Sequence, residues 1–292
     1  MTTPADFAWP PAPNATVASP ALSLRWLGTA GYELAYDGST ILIDPYVTRV
    51  SLGTFLLAPL SPDEEIVART IERADAVFVG HSHFDHALDV PLIARRTGAH
   101  VYGSASTAAL LRASGVRAEQ IHECSGGEII EVGPFRVRLV PSEHSRIGLG
   151  HRVPFAGDIP CSCEIPLRGF DYRCGQVFGL AIRVAGLRLY HAGSANLIDD
   201  AIEERDSDVF LMGISGRFAT ERYVARVLRR LTPRLVVPMH YDNFFRPLHR
   251  PMRLLPRTKF GELADEVFQF DRQIAIRTLE IDQRVAVTAQ TT

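Results

Sequence analysis

The chain has 292 residues, with 33 acidic and 31 basic side chains and a net charge of −2, so no global field draws it towards nucleic acid or an anionic membrane. Its single lysine, Lys259, sits in Arg-Thr-Lys-Phe with no glycine cradle before it and no Ser/Thr after it, which excludes Schiff-base and P-loop chemistry. With 46% hydrophobic residues there is material for a sizeable core, and the ten histidines are the obvious reserve for chemistry.

Residues 1–20 hold five prolines and no apolar run, and read as a flexible leader without export character. The remainder, 21–292, is expected to be a single domain. No stretch approaches the roughly 18 apolar residues of a membrane helix, so no stable membrane anchor is expected. The cytoplasm, with reduced cysteines, is the expected location.

Apolar runs at 22–27, 32–36 and 40–44, separated by Gly-containing turns, read as a β-meander. A helix follows at 63–73, opened by Ser61-Pro62-Asp63, and then a buried strand at 76–80. Helices at 90–96 and 106–114 flank a strand at 101–103. Four strands come next, EIIEV, FRVRLV, VFGLAIRV and LRLYHA, interrupted at 145–175 by a long irregular insertion. The chain closes with a strand at 208–214, a helix at 220–231 and the strand run 235–240. Strands, mixed β/α, strands, mixed β/α suggest two similar halves: an α/β fold of two sheets packed face to face with helices outside.

The strand at 76–80 runs into His81-Ser82-His83-Phe84-Asp85-His86. In extended chain His81 and His83 point the same way, and a turn into a helix brings Asp85 and His86 back beside them. Imidazole with carboxylate is a ligand set for zinc, manganese or iron. His144 and His240 likewise stand at the ends of apolar strands, so all these residues converge on one edge of the sheets.

This pattern, HxHxDH followed by two strand-end histidines, resembles the metallo-β-lactamase superfamily from about Leu22 to beyond His240. The context HSHFDHALDVPLIARRTGAHVYGS and the ending VVPMHYDNF are similar to the branch of ascorbate-phosphate lactonases and N-acyl-phosphatidylethanolamine phospholipases. The resemblance implies a four-layer αββα sandwich with one or two divalent ions, zinc first, at one edge. It implies His81, His83 and His144 around the first ion and Asp85, His86 and His240 around the second. The implied activity is hydrolysis of an ester, lactone or phosphodiester in a small substrate. Asp85 would orient the nucleophile or take its proton.

The resemblance also marks a departure. The family places a bridging aspartate after a strand, in a Gly-Asp context; here the stretch is His191-Ala192-Gly193-Ser194. A neutral hydroxyl neutralises none of the charge of two divalent ions. Three outcomes stay open: one ion only, two ions joined by hydroxide or by a carboxylate such as Glu143, Asp158 or Asp199, or a binding protein without turnover. An iron-dependent oxidation on the same scaffold is a further alternative. His191 is a candidate proton donor to the leaving group, with a core-facing strand histidine as the competing reading.

The insertion directly after His144 is expected to overhang the site as a lid. Its Arg146, His151, Arg152, Arg168 and Arg173 suit either an anionic substrate or plain solvation. Cys161, Cys163 and Cys174 suit either a further zinc with His151 or reduced thiols. No nucleic-acid partner is expected, and self-association is left open.

Overall fold

The computed structural model describes residues 2–10, 21–147, 151–289 and 291. The chain lays down β1 (Leu22–Gly28), β2 (Gly31–Tyr36), β3 (Ser39–Ile43), β4 (Ala76–Phe78), β5 (His100–Gly103) and β6 (Ile121–Glu123) as one sheet. It then builds a second from β7 (Ile129–Val132), β8 (Phe135–Ser142), β9 (Val177–Val184), β10 (Leu187–Ala192), β11 (Val209–Gly213), β12 (Leu235–Met239) and β13 (Ala275–Ile276). A last strand, β14 (Arg284–Val287), returns to the first sheet and pairs antiparallel with β1. Each sheet is mixed: the first runs antiparallel from β14 to β3 and parallel from β3 to β6.

The period of two along the strands decides what each sheet faces. On β3, Ile41 and Ile43 enter the core shared by the two sheets, whereas Leu42 turns to the helical side. On β4, Ala76 and Phe78 face the other sheet and Val77 faces the helices. Over that outer face lie α1 (Leu52–Leu57), α2 (Glu64–Thr70), α3 (Phe84–Ala87), α4 (Val90–Thr97) and α5 (Ala105–Ala113). The second sheet is covered by α6 (Tyr223–Leu231) and α7 (Phe260–Phe270). On α6 the buried side chains Tyr223, Val224, Val227, Leu228 and Leu231 recur at helical spacing. This is the four-layer αββα sandwich expected from the sequence.

Helix starts follow local chemistry. Asp63 caps α2 by accepting from the Ile66 N–H at 2.9 Å, and Ser51 caps α1 through the Thr54 N–H at 3.0 Å. The helix expected over 63–73 stops at Thr70, and the one expected over 220–231 begins at Tyr223. The elements α1, β6, α7, β13 and β14 have no counterpart among the elements expected from the sequence.

Within the segment expected as a flexible leader over 1–20, residues 4–9 are anchored to the rest of the chain. Residues Pro4–Phe7 form a 3₁₀ turn, Trp9 is buried, and the Trp9 N–H donates to the Thr278 carbonyl at 2.9 Å. The Phe7 ring packs on Phe260 and Phe268 of α7 at 5.8 and 6.1 Å. Two aromatic side chains outweigh the prolines here, since burying them anchors the segment. Residues 11–20 lie outside the described part of the chain. No helix among the described residues is long and apolar enough to cross a membrane.

Candidate metal centre

The stiff parallel strand β4 delivers His81 and His83 at its end, and His83 is the N-cap of the short helix α3. One turn of that helix swings Asp85 and His86 back towards the strand end. His144 lies two residues beyond β8, and His240 follows β12 directly. His240 has φ +59, in the left-handed region that non-glycine residues avoid, and its N–H donates to the Thr29 carbonyl at 2.9 Å.

Two groups of ligand-type atoms result, each within a mutual spread of 4.8 Å: His81, His83 and His144, and Asp85, His86 and His240. They are the two triads expected from the sequence. In the first, ring centroids stand 4.7, 4.8 and 4.9 Å apart at steep angles, so that three imidazoles converge on one point. In the second, Asp85 Oδ2 is 3.3 Å from His240 Nε2 and 3.9 Å from His86 Nε2. The His81 and His86 rings, 3.8 Å apart, join the groups.

In two of the imidazoles the outer nitrogen is anchored to backbone, which leaves the inner one as a lone-pair donor. His83 Nε2–H donates to the Pro154 carbonyl at 2.9 Å, and His144 Nδ1–H donates to the Ser145 carbonyl at 2.7 Å. His83 Nδ1 then faces His81 Nε2 at 3.0 Å. His86 Nε2 is buried without a hydrogen-bond partner. Buried lone pairs aimed at one another, with orphaned nitrogens beside a carboxylate, fit a divalent cation.

Electrostatics agree with that reading. Burial, reinforced by the neighbouring imidazoles, holds His81 well below the usual histidine range, His83 at about 4 and His144 at about 3. All three are therefore in the neutral, ligating form at neutral pH. Burial would also favour a protonated Asp85, but His86, His240 and His83 outweigh it and hold the carboxyl low. Burial likewise opposes charge on His86, yet Asp44 and Asp85 win and raise it.

Asp44 is the residue the sequence reading missed. It follows β3 with φ +43, is fully buried, and its Oδ2 lies 2.9 Å from His86 Nδ1. Its other oxygen accepts from the Gly80 N–H at 2.6 Å. The signal was present as an acid ending the apolar run Ile41-Leu42-Ile43, the same strand-end placement that singled out the histidines.

Ser194, expected from the resemblance at the position of a bridging aspartate, lines the cavity beside residues of both groups, its Oγ accepting from the Ser145 N–H at 3.0 Å. None of the carboxylates considered as replacements is brought to it. Glu143 accepts from Asn196, Asp158 accepts from Ser106 and Asp199 pairs with Arg226. His191 is fully buried on β10, bonds the Ala30 carbonyl through Nε2 at 2.8 Å, and is not among the residues lining the cavity. It has the placement of a core-facing strand histidine.

Of the described residues of the insertion, Ile147, Pro154 and Phe155 line the cavity, while Ile159, Leu167 and Tyr172 pin the segment to the core. The insertion arginines are not in that lining. Among the described residues, Cys161, Cys163 and Cys174 do not gather into a metal-holding group; Cys161 is exposed and Cys174 buried.

Comparison with known proteins agrees with this geometry. A family model described as the beta-lactamase superfamily domain matches residues 23–240. A UPF0173 metal-dependent hydrolase of Methanopyrus kandleri is 30% identical over 227 residues, covering 76% of this chain and 85% of the relative. One of Carboxydothermus hydrogenoformans is 29% identical over 228 residues, covering 76% of this chain and 86% of the relative. Among solved structures, Igni18, a metallo hydrolase of Ignicoccus hospitalis, superposes with a TM-score of 0.60 at 21% identity, covering 92% of this chain and 99% of its own. CmlA, a diiron beta-hydroxylase of Streptomyces venezuelae, gives a TM-score of 0.57 at 15% identity, covering 94% of this chain and 55% of its own. At these identities the two structures speak for the fold alone. By the extent of the family match and the likeness to the Methanopyrus relative, the chain belongs to the beta-lactamase superfamily and, within it, to the UPF0173 family.

Proposed function

We propose that the chain is a metal-dependent hydrolase that adds water across an ester, lactone or phosphodiester bond of a small substrate. The observation that carries this reading is the pair of three-residue ligand groups, two residues of each lining one cavity. The names of the curated relatives support it. Zinc is the proposed metal, since five of the six ligands are imidazoles.

When bound, a divalent cation lowers the pKa of water to around 7 and polarises the electrophile. Asp85, held ionised, accepts a proton from the attacking water. That oxygen forms the new bond to carbon or phosphorus as the bond to the leaving oxygen breaks, and the proton held by Asp85 passes to the departing oxygen. The Ser194 hydroxyl accepts from the backbone and keeps its own O–H free to donate to a substrate oxygen. Pro154 and Ser145 hold two of the imidazoles in register through their carbonyls.

Metal analysis of the purified protein with a panel of esters, lactones and phosphodiesters tests the reading. Bound zinc is expected, with turnover that falls at least a hundredfold in His83→Ala. Protein that binds no divalent metal, or turnover that persists in His83→Ala, overturns it.

A further inference from the structure

The non-polar wall of the cavity narrows the substrate. The cavity has a volume of about 190 Å³, and its non-polar side is built by Phe55, Phe84, Phe155, Phe244, Phe245 and Ile147. These come from four separate stretches of chain: α1, α3, the insertion after β8, and the loop after β12. Their rings pack on one another, Phe55 to Phe84 at 4.8 Å, Phe55 to Phe245 at 5.5 Å and Phe244 to Phe245 at 4.7 Å. They also reach the candidate ligands, Phe155 standing 6.0 Å from the His83 ring and Phe244 5.4 Å from the His240 ring. Outward, Phe170 packs on Phe55 and Phe155 at 5.0 and 5.5 Å and is 41% exposed, so the aromatic surface continues to the mouth.

The polar part of the lining is His83, Asp85, His144 and His240 of the ligand groups and the neutral hydroxyls of Ser145, Ser194 and Ser215. No arginine or lysine lines the cavity among the described residues, and Arg146, Arg152 and Arg168 of the insertion are exposed. A charged group pushed against the phenyl wall would lose its water and find no partner there. A dry apolar cavity of roughly 150 Å³ takes a benzene-sized guest. The space here suits one ring or a short branched chain together with the scissile group.

We infer that the substrate carries an uncharged aryl or short branched aliphatic arm beside the bond to be cleaved, and that this arm lies against Phe55, Phe155 and Phe245. The inference rests on the hydrolase reading for the bond, but the arm is recognised by the aromatic wall whether or not turnover follows. It turns the choice left open by the insertion arginines towards an apolar substrate, with those arginines as solvated surface.

The test uses the metal-loaded protein and two ester series, one varying the acyl arm and one the alcohol arm, each running from methyl to benzyl to 4-sulfobenzyl. In at least one series kcat/KM is expected to rise tenfold or more from methyl to benzyl, and to fall tenfold or more when the ring carries the sulfonate. Phe155→Leu and Phe245→Leu are expected to raise KM for the benzyl ester more than they lower kcat. A sulfobenzyl ester that equals or beats the benzyl ester in both series overturns the inference, as does indifference to arm size. If no ester is cleaved, the ester form of the hydrolase reading fails by itself, and saturation-transfer NMR decides the arm. Benzyl alcohol binding that Phe155→Leu weakens, with 4-sulfobenzyl alcohol not bound, upholds the inference; no binding of benzyl alcohol overturns it.

Discussion

Asp44 Oδ2 lies 2.9 Å from His86 Nδ1, and the space for this buried carboxylate exists because two neighbours are glycines. A Cβ on Gly80 would stand 3.0 Å from Oδ2, and one on Gly193 would stand 2.8 Å from it. The carboxylate fixes the face of His86 that turns away from the ligand group and leaves Nε2 pointing inward. Outer carboxylates of this kind typically contribute 10- to 100-fold in metal affinity. Asp44→Asn is therefore expected to weaken divalent-metal binding by about that factor while the fold persists, as read by competition with a chelator and by circular dichroism. Unchanged affinity would show that the contact does not orient the ligand.

Ser194 leaves the six candidate ligands with Asp85 as their single anion, and Asp44 adds a second negative charge only behind His86. Restoring a carboxylate at the cavity floor should favour a second cation. Ser194→Asp is expected to retain more metal per chain than the wild type after dialysis against a weak chelator, measured by elemental analysis. Equal retention in the two proteins would refute the charge argument.

The loop that carries His240 is held by a buried ion pair. Arg49 Nη1 meets Asp242 Oδ2 at 2.5 Å with both side chains about 1% exposed, and Asp242 Oδ1 accepts from the Thr29 N–H at 3.0 Å. Removing one partner of such a pair strands the other charge and costs about 3–5 kcal/mol. Asp242→Ala is expected to lose stability on that scale in urea unfolding and to weaken metal binding through His240. A loss below about 1 kcal/mol would mean that water or another group already serves Arg49.

Asp89 gives a pH signature away from the ligands. Burial raises its carboxyl to about 6, against an ordinary value of 3.8, and outweighs the bonds it accepts from Thr48 and Val47. Between those two values the folded chain keeps the proton and the unfolded chain has released it. The stabilising contribution is thus complete below pH 3.8 and is lost as pH rises through about 6. Its size is on the order of 2–3 kcal/mol. Urea unfolding at pH 4.5 and 7.5 should show Asp89→Asn gaining on the wild type at the higher pH; a constant difference between the two proteins would contradict the shift.

The sequence carried the ligand triads because chemistry and periodicity coincided there. Each histidine or aspartate ends an apolar strand or sits in a short dense motif, so a local pattern reports a long-range convergence. Asp44 has the same strand-end placement but stands alone, and its partner His86 lies in another stretch of chain. The aromatic wall was illegible for a different reason: Phe55, Phe84, Phe155 and Phe245 become neighbours only when four segments fold over one another. His191 shows the opposite hazard, since its nearness to Ser194 in sequence hides a ring that turns towards Ala30. Trp9 was hidden by the prolines around it, although an aromatic side chain near a terminus is a natural anchor.

The two sheets contribute unequally to the candidate centre: His81, His83, Asp85 and His86 follow β4 of the first, whereas His144 and His240 follow β8 and β12 of the second. Cations held by all six residues would act as a rivet through the sandwich, fastening one half of the molecule to the other at a single rim. Their binding free energy is then also cohesion between the halves, so the melting temperature should climb with metal concentration and drop on chelation. Stripped of the rivet, the rim is where the sandwich would begin to part.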